Sequence, residues 1–249
     1  MSVITEQINN HRSIRKYRSE AIPDDILREI LVAGTAASNT GNMQVYSMVV
    51  TKEEELRKQL WEAHFRQNMV LQAPVHITFC ADVNRFSKWC RARQAEPAYE
   101  NLLWFCNAAI DAALASQNVT LAAESFGLGI CYLGTTTYNA DRIIDILKLP
   151  KGVIPVTALV MGYPEEQPPL TGRLPPGAVV HNEMYRDDNN GDIDRLYAGL
   201  EATEQTRQLL EINQKETLAQ IFTDNRYTKK DNEAASASYL EVMKRQGFF

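Results

Sequence analysis

The sequence predicts an α+β fold, in which helices flank one central mixed sheet and a helical extension forms the C-terminal part. Three observations lead there. Short β-rich segments are separated by long helical patterns with no strict βαβ alternation. VIPVTALVMG (153–162) is near-continuously apolar, as expected of a central strand. After Gly162 the composition changes, first to a proline-rich stretch and then to an amphipathic helical text. No internal repeat, low-complexity tract or inter-domain linker interrupts the 249 residues, so a single domain is expected. Residues 1–187 would form its core and residues 188–249 a helical arm.

Element by element, residues 3–10 read as a short helix leading into the basic stretch HRSIRKYR. Pro23 opens the next helix, with Asp24 and Asp25 in its first turn, where carboxylates suit the positive end of the dipole. Ile26, Leu27, Ile30 and Leu31 give it one buried face. The loop SNTGNMQ (38–44) follows, then a β-branched strand, VYSMVVT (45–51). Residues 53–64 are helical in pattern, residues 65–72 are not decided by pattern, and Pro74 introduces the strand VHITFCAD. Residues 101–126 form the longest helical pattern, apolar around much of its circumference, with Gly127 placed for a left-handed cap. ICYLG is a third strand, and Asn139 is set to cap the helix that runs to Pro150. EEQPPLTGRLPPG holds four prolines and reads as an extended loop. Helical patterns resume over 192–222 and 231–246.

The bulk properties exclude several classes. The net charge of −5 and the pI near 5.5 oppose nucleic acid and anionic lipid, so a phosphate site must be a local positive pocket. No run approaches the length needed to cross a bilayer, and the N-terminus lacks a secretory h-region, so a cytoplasmic protein is expected. Cys80, Cys90, Cys106 and Cys131 form no CxxC pair and read as reduced thiols packed as small hydrophobes. His11, His64, His76 and His181 are scattered without metal-ligand spacing, so no metal is expected.

Three segments offer chemistry. His11-Arg12-Ser13-Ile14-Arg15 sets two guanidiniums three residues apart around a hydroxyl, suited to converge on one phosphate. On charge pattern alone a solvated basic patch is equally open. Ser38-Asn39-Thr40-Gly41-Asn42, with Gln44 behind it, combines small residues and amides that suit the face and polar edge of a flat ring. An ordinary helix-to-strand loop remains its alternative. Gly127-Leu128-Gly129 follows a helix rather than a strand, so it is no dinucleotide fingerprint, but Gly134 after the third strand leaves room for a cofactor beside the backbone. There is no GxSxG, HExxH or GxxxxGK[ST], and an enzyme without such groups draws its chemistry from a cofactor.

Together HRSIRKY, AASNTGNMQ, GLGICYLG and KLPKGVIPVTALVMGYPEEQPP resemble the nitroreductase superfamily, over roughly residues 8–187. LPPGAVVHNEMY is similar to its larger NADPH-dependent branch of oxygen-insensitive nitroreductases and NADPH–flavin oxidoreductases. The resemblance implies a homodimeric, nitroreductase-like FMN-binding fold with each flavin site shared between subunits. It implies that His11, Arg12, Ser13 and Arg15 hold the phosphate and ribityl chain, and that Ser38, Asn39, Thr40 and Asn42 flank the ring from the facing subunit. Gln67 falls beside the flavin edge, Leu133, Gly134 and Thr135 line the N5 side, and Arg173 matches an arginine at the phosphate or pyrimidine end. Hydride would pass from NADPH or NADH through FMN to electron-poor small-molecule acceptors by a ping-pong route, with no side chain as catalytic acid or base. Two departures stand out. Thr171-Gly172-Arg173 replaces the Lys-Pro-Arg of the branch, and Arg226, Lys229 and Lys230 lie in a segment only related to its NADPH loop. These departures are the sole support for the alternative, a protein that holds FMN without turnover.

Overall fold

The structure, a computed structural model, describes residues 1–187 and 190–249. The expected start of the arm at residue 188 lies outside the described residues. The contacts divide the chain into two compact units, Met1–Pro169 with Ala237–Phe249, and Leu170–Ser236.

The first unit begins with α1 (Val3–Asn9), capped by the Ser2 hydroxyl, and α2 (Asp24–Thr35). An extended segment joins them. β1 (Tyr46–Thr51), α3 (Glu54–Ala63), the short α4 (Met69–Gln72) and β2 (Val75–Asp82) follow. Then come α5 (Asn84–Ala92), α6 (Leu102–Ser125), β3 (Gly129–Tyr132), α7 (Ala140–Leu147) and β4 (Val153–Gly162). α5 had not been expected from the sequence: its buried face is only Ser87 and Cys90, too little apolar text to stand out.

The strands lie in the order β1-β2-β4-β3, and every ladder is antiparallel. The expected mixed sheet is therefore corrected to an antiparallel one. Its parallel pairing is confined to one bridge, Ser13 with Ile130, where the chain between α1 and α2 lies beside β3. β4 is interior, as its apolar run predicts. It carries Pro155, which has no ladder donor, beside a bulge at Val156 that shifts the register between Phe79 and Cys80.

Because side chains alternate across a strand, the sheet has two different faces. Ile77, Phe79, Ile130, Leu159 and Met161 pack with Ala112, Ala115, Val119 and Ala123 of α6 and with Leu27 and Ile30 of α2. Cys131, Leu133, Ala158 and Val160 pack on the other side with Leu60 and Ala63 of α3, Met69 and Val70 of α4, and Ile143 of α7. This second face also carries His76 and Thr78, cross-strand neighbours of Val160 and Ala158.

Several details differ from the sequence reading. Asn139 occupies the N-cap of α7, but its amide donates to the Ala63 carbonyl at 2.6 Å instead of capping the helix. Cys80, Cys90 and Cys131 are buried, whereas Cys106 is exposed on α6. α6 buries only one side. Leu103, Ile110 and Leu114 leave its opposite side exposed, at 67%, 57% and 43%.

The second unit contains α8 (Asn190–Glu201), α9 (Glu204–Asn213) and α10 (Leu218–Gln220), which runs into a π-helical turn at Ile221–Arg226. Thr203 caps α9, and Thr217 with Gln220 forms a capping box for α10. α11 (Lys229–Gln246) begins in this unit, and its last turns return to the first, where Met243 and Phe248 join a cluster with Val45, Ala81, Val83 and Ala108.

Candidate functional site

The extended segment 11–17 sits against β3 because Gly129 has no side chain. A Cβ there would lie 2.6 Å from Ile14 Cγ1, well inside contact distance. With that space open, Ile14 N donates to the Ile130 carbonyl at 2.8 Å, and Tyr17 pairs with Pro164. The first glycines of GLGICYLG therefore serve chain packing, Gly127 as a left-handed turn (φ 73°) and Gly129 as the point of close approach.

Within this segment the side chains diverge. The His11 ring meets Glu124 near the end of α6, Nδ1···Oε1 2.5 Å. Arg12 donates to the carbonyls of Pro168 (2.9 Å) and Asn10 (2.8 Å). It faces a cleft of about 560 Å³, with Arg18 and the carboxylates Glu124, Glu165 and Glu166 among its lining. Arg15 is exposed, lies outside that lining and forms no ion pair among the described residues. Its charge reaches Cys131, where it opposes the burial that pushes the thiol up. In extended backbone, residues three apart point to opposite sides, so the two guanidiniums do not converge within one chain, contrary to the expectation from their spacing.

β3 leads directly into Leu133-Gly134-Thr135. Leu133 is buried and its amide bonds the Ala158 carbonyl at 2.8 Å, which fixes where the strand ends. Gly134–Thr136 is a single 3₁₀ turn. A Cβ on Gly134 would meet no atom within 4 Å, so the backbone there is open to a flat ligand. The leading amides of such a turn have no partner inside it. Gln67 Nε2 donates to Thr135 Oγ1 (3.3 Å) and to the His64 carbonyl (3.0 Å), so Gln67 and Thr135 stand side by side.

The Ser38–Asn42 loop is attached elsewhere. Asp111, buried in α6, accepts from Thr40 N (2.9 Å) and Thr40 Oγ1 (3.1 Å). Asn39 Oδ1 accepts from Gln44 N at 3.1 Å. Asp111 and Glu124 are thirteen residues apart on one helix, about 20 Å along its axis. The loop and the His11 segment are thus anchored at separate points of α6. Ser38 and Asn42 are exposed, with Asn39 and Thr40 half-buried.

Arg173, Arg226, Lys229 and Lys230 belong to the second unit. Arg173 is exposed and donates to the carbonyls of Thr171 and Gly172. Arg226 closes the π-helical turn with its guanidinium 5.8 Å from the Phe222 ring centroid. Lys229 faces Glu233 at 3.8 Å, and Lys230 is exposed.

Three polar residues had escaped the sequence reading: Asp111, His64 and His76, each at most 1% exposed. Each is buried, Asp111 in an apolar helix, His76 in a strand buried along its whole length, and His64 at the C-terminal end of α3. That contrast is the signal that could have found them, because such groups persist only when bonded. Among the described residues no cluster of His, Cys, Asp or Glu fits a metal ion, and no helix is long and apolar enough to cross a membrane.

An antiparallel sheet between helices, with an open glycine turn and polar anchors at a strand end, defines an α+β protein. Comparison with known proteins gives the family. The nitroreductase family model matches residues 8–163, and the chain belongs to the nitroreductase family. It is 36% identical over 186 residues to the oxygen-insensitive NADPH nitroreductase of Salmonella typhimurium, covering 75% of this chain and 76% of that one. It is 33% identical over 187 residues to an FMN reductase (NADPH) of Bacillus subtilis, covering 74% and 75%. A crystal structure from Bacteroides fragilis superposes with a TM-score of 0.96 at 50% identity, covering 98% of this chain and 99% of that one.

Proposed function

We propose that this chain is an FMN-dependent NAD(P)H oxidoreductase that reduces electron-poor small molecules such as nitroarenes, quinones, free flavin or azo compounds. The observation that carries the reading is the pairing of Ser13 and Ile14 with β3. It sets a basic, hydroxyl-bearing segment beside the strand that leads, about 10 Å further on, into the open Leu133-Gly134-Thr135 turn. The residues suit FMN: Arg15 offers an exposed guanidinium for a terminal phosphate, although the Glu166 carboxylate accepts from its backbone amide at 2.6 Å, and the space over Gly134 accepts a flat ring. When bound, FMN supplies the two-electron chemistry, accepting hydride from a reduced nicotinamide and passing it to the acceptor.

The chain's own residues bind and orient. Ser13 and Arg15 are the candidates for the phosphate, and the resemblance assigns His11 and Arg12, which here bond Glu124 and the carbonyls of Pro168 and Asn10, to the same end. Leu133, Gly134, Thr135 and Gln67 meet the ring. The resemblance assigns Arg173 to the flavin's polar end, and Arg226, Lys229 and Lys230 to the 2′-phosphate of NADPH. Relatives named as NADPH nitroreductase and FMN reductase support the choice of FMN and a reduced nicotinamide.

The working unit is a homodimer in the cytoplasm. On α6 the positions Leu103, Asn107, Ile110, Leu114, Gln117 and Leu121 recur at alternating spacings of four and three, the pattern of a helix–helix seam. The resemblance assigns the Ser38–Asn42 loop of one copy and the His11–Arg15 segment of the other to one flavin site. Chromatography of the chromophore released by heat, followed by anaerobic addition of NADPH to the yellow protein, tests the function. FMN bleached by NADPH supports it. FAD, or no flavin after reconstitution, refutes it, and FMN that NADPH leaves oxidised marks a holding protein.

A further inference from the structure

Two histidines stand on the sheet face behind the Leu133–Thr135 turn. His64 follows α3 and His76 lies on β2, and neither has any exposed surface. Their rings are tilted by 41°, with Nε2 of one 3.2 Å from Nε2 of the other. His64 Nδ1 is 2.8 Å from Thr135 Oγ1, and His76 Nδ1 is 3.5 Å from Thr78 Oγ1. Burial holds the His64 pKa down to about 4 and that of His76 well below its usual value, so both rings are neutral.

The turn that follows is strained. Phe65 (φ 54°) and Arg66 (φ 57°) are consecutive non-glycine residues in the left-handed region, a conformation that persists only when its surroundings enforce it. Its two ends are held: Arg66 N bonds the Trp61 carbonyl, and the His64 ring bonds Thr135. The result is that Gln67 turns back to meet both the His64 carbonyl and the Thr135 hydroxyl.

The two neutral rings share one proton between their Nε2 atoms, the His64 Nδ1 meets the Thr135 hydroxyl, and Gln67 Nε2 donates to the same Thr135 Oγ1, because an amide nitrogen only donates.

We propose that His64, backed by His76, is a positioning residue that holds Thr135 and Gln67 together at the flavin-binding turn. The role at the flavin rests on the FMN reading above. The arrangement of the two rings does not.

The test combines FMN titration of the full-length protein, followed by flavin fluorescence, with ¹⁵N spectra of its histidine side chains. His64→Asn keeps an acceptor where Nδ1 stood, while His64→Gln moves its amide towards His76 and abandons Thr135. His64→Asn should bind FMN within about twofold of the parent, and His64→Gln and Thr135→Val should each bind about tenfold more weakly, near the worth of one hydrogen bond. The double variant His64→Gln/Thr135→Val should be no weaker than either, since both remove the same contact. Equal loss in His64→Asn and His64→Gln, or losses that multiply in the double variant, overturns the proposal. So does a spectrum in which either ring is protonated on both nitrogens at neutral pH. If the parent protein takes up no FMN, the flavin reading fails instead. The ring arrangement is then decided by the spectrum and by whether the two substitutions couple in urea unfolding, where additive losses overturn it.

Discussion

At neutral pH the buried pair His64–His76 imposes no protonation cost on folding, because both rings are neutral in either state. Acidification changes this. The His64 pKa falls from 6.5 to about 4 through burial alone. Between those values the unfolded chain binds more protons than the folded one, so stability is full above pH 6.5 and declines as the pH falls towards 4. At 1.36 kcal/mol per pKa unit, His64 by itself costs the folded state about 2 kcal/mol at pH 5 and about 3 kcal/mol at pH 4. His76 shifts in the same direction and adds to the loss. With a urea slope near 2 kcal/mol per molar, the pH 5 figure moves the unfolding midpoint by about 1 M. The assay is urea unfolding at pH 7.5 and pH 5 for the parent and for His64→Asn, which keeps the Thr135 contact and cannot titrate. Substitution also costs packing, but that offset is the same at both pH values. The parent should lose about 2 kcal/mol more than the variant on acidification. Parallel losses would refute the burial of a neutral His64 and the contact geometry drawn from it.

Other substitutions probe other parts. Gly129→Ala forces a Cβ against Ile14, so it should destabilise the protein by about 1–3 kcal/mol and release FMN, as read by thermal unfolding and by flavin content after gel filtration. Arg15→Ala should weaken FMN binding by about 2–4 kcal/mol by removing charge-assisted bonds to phosphate. Arg18→Ala should do little, and equal losses would point to a diffuse field. Arg12 is a less clean probe, because its guanidinium also ties Pro168 and Asn10. Arg226→Ala should raise KM for NADPH more than for NADH with flavin content unchanged, and equal effects would make the turn structural. Light scattering with flavin fluorescence across a dilution series should show dimer and FMN lost together, because each stabilises the other. A flavin-loaded, active monomer would remove the shared-site model.

The sequence by itself determined the elements that local chemistry dictates. The run 153–162 made an interior strand because unbroken apolar text has nowhere else to go, Pro23 and the aspartates after it began α2, and Gly127 ended α6 in the left-handed region. The segments HRSIRKY and GLGICYLG were legible as candidates because their residue types are uncommon in combination. Tertiary structure decided what those residues face. Strand direction depends on partners far along the chain, which is why the sheet is antiparallel although the text suggested a mixed one. The spacing of Arg12 and Arg15 looked convergent, but the extended backbone beside β3 turns them apart. His64 and His76 lie twelve residues apart in the text, with no pattern joining them. They meet only because α3 packs on the sheet face that carries β2, and a hydrogen bond between buried rings exists only where folding has removed water from both.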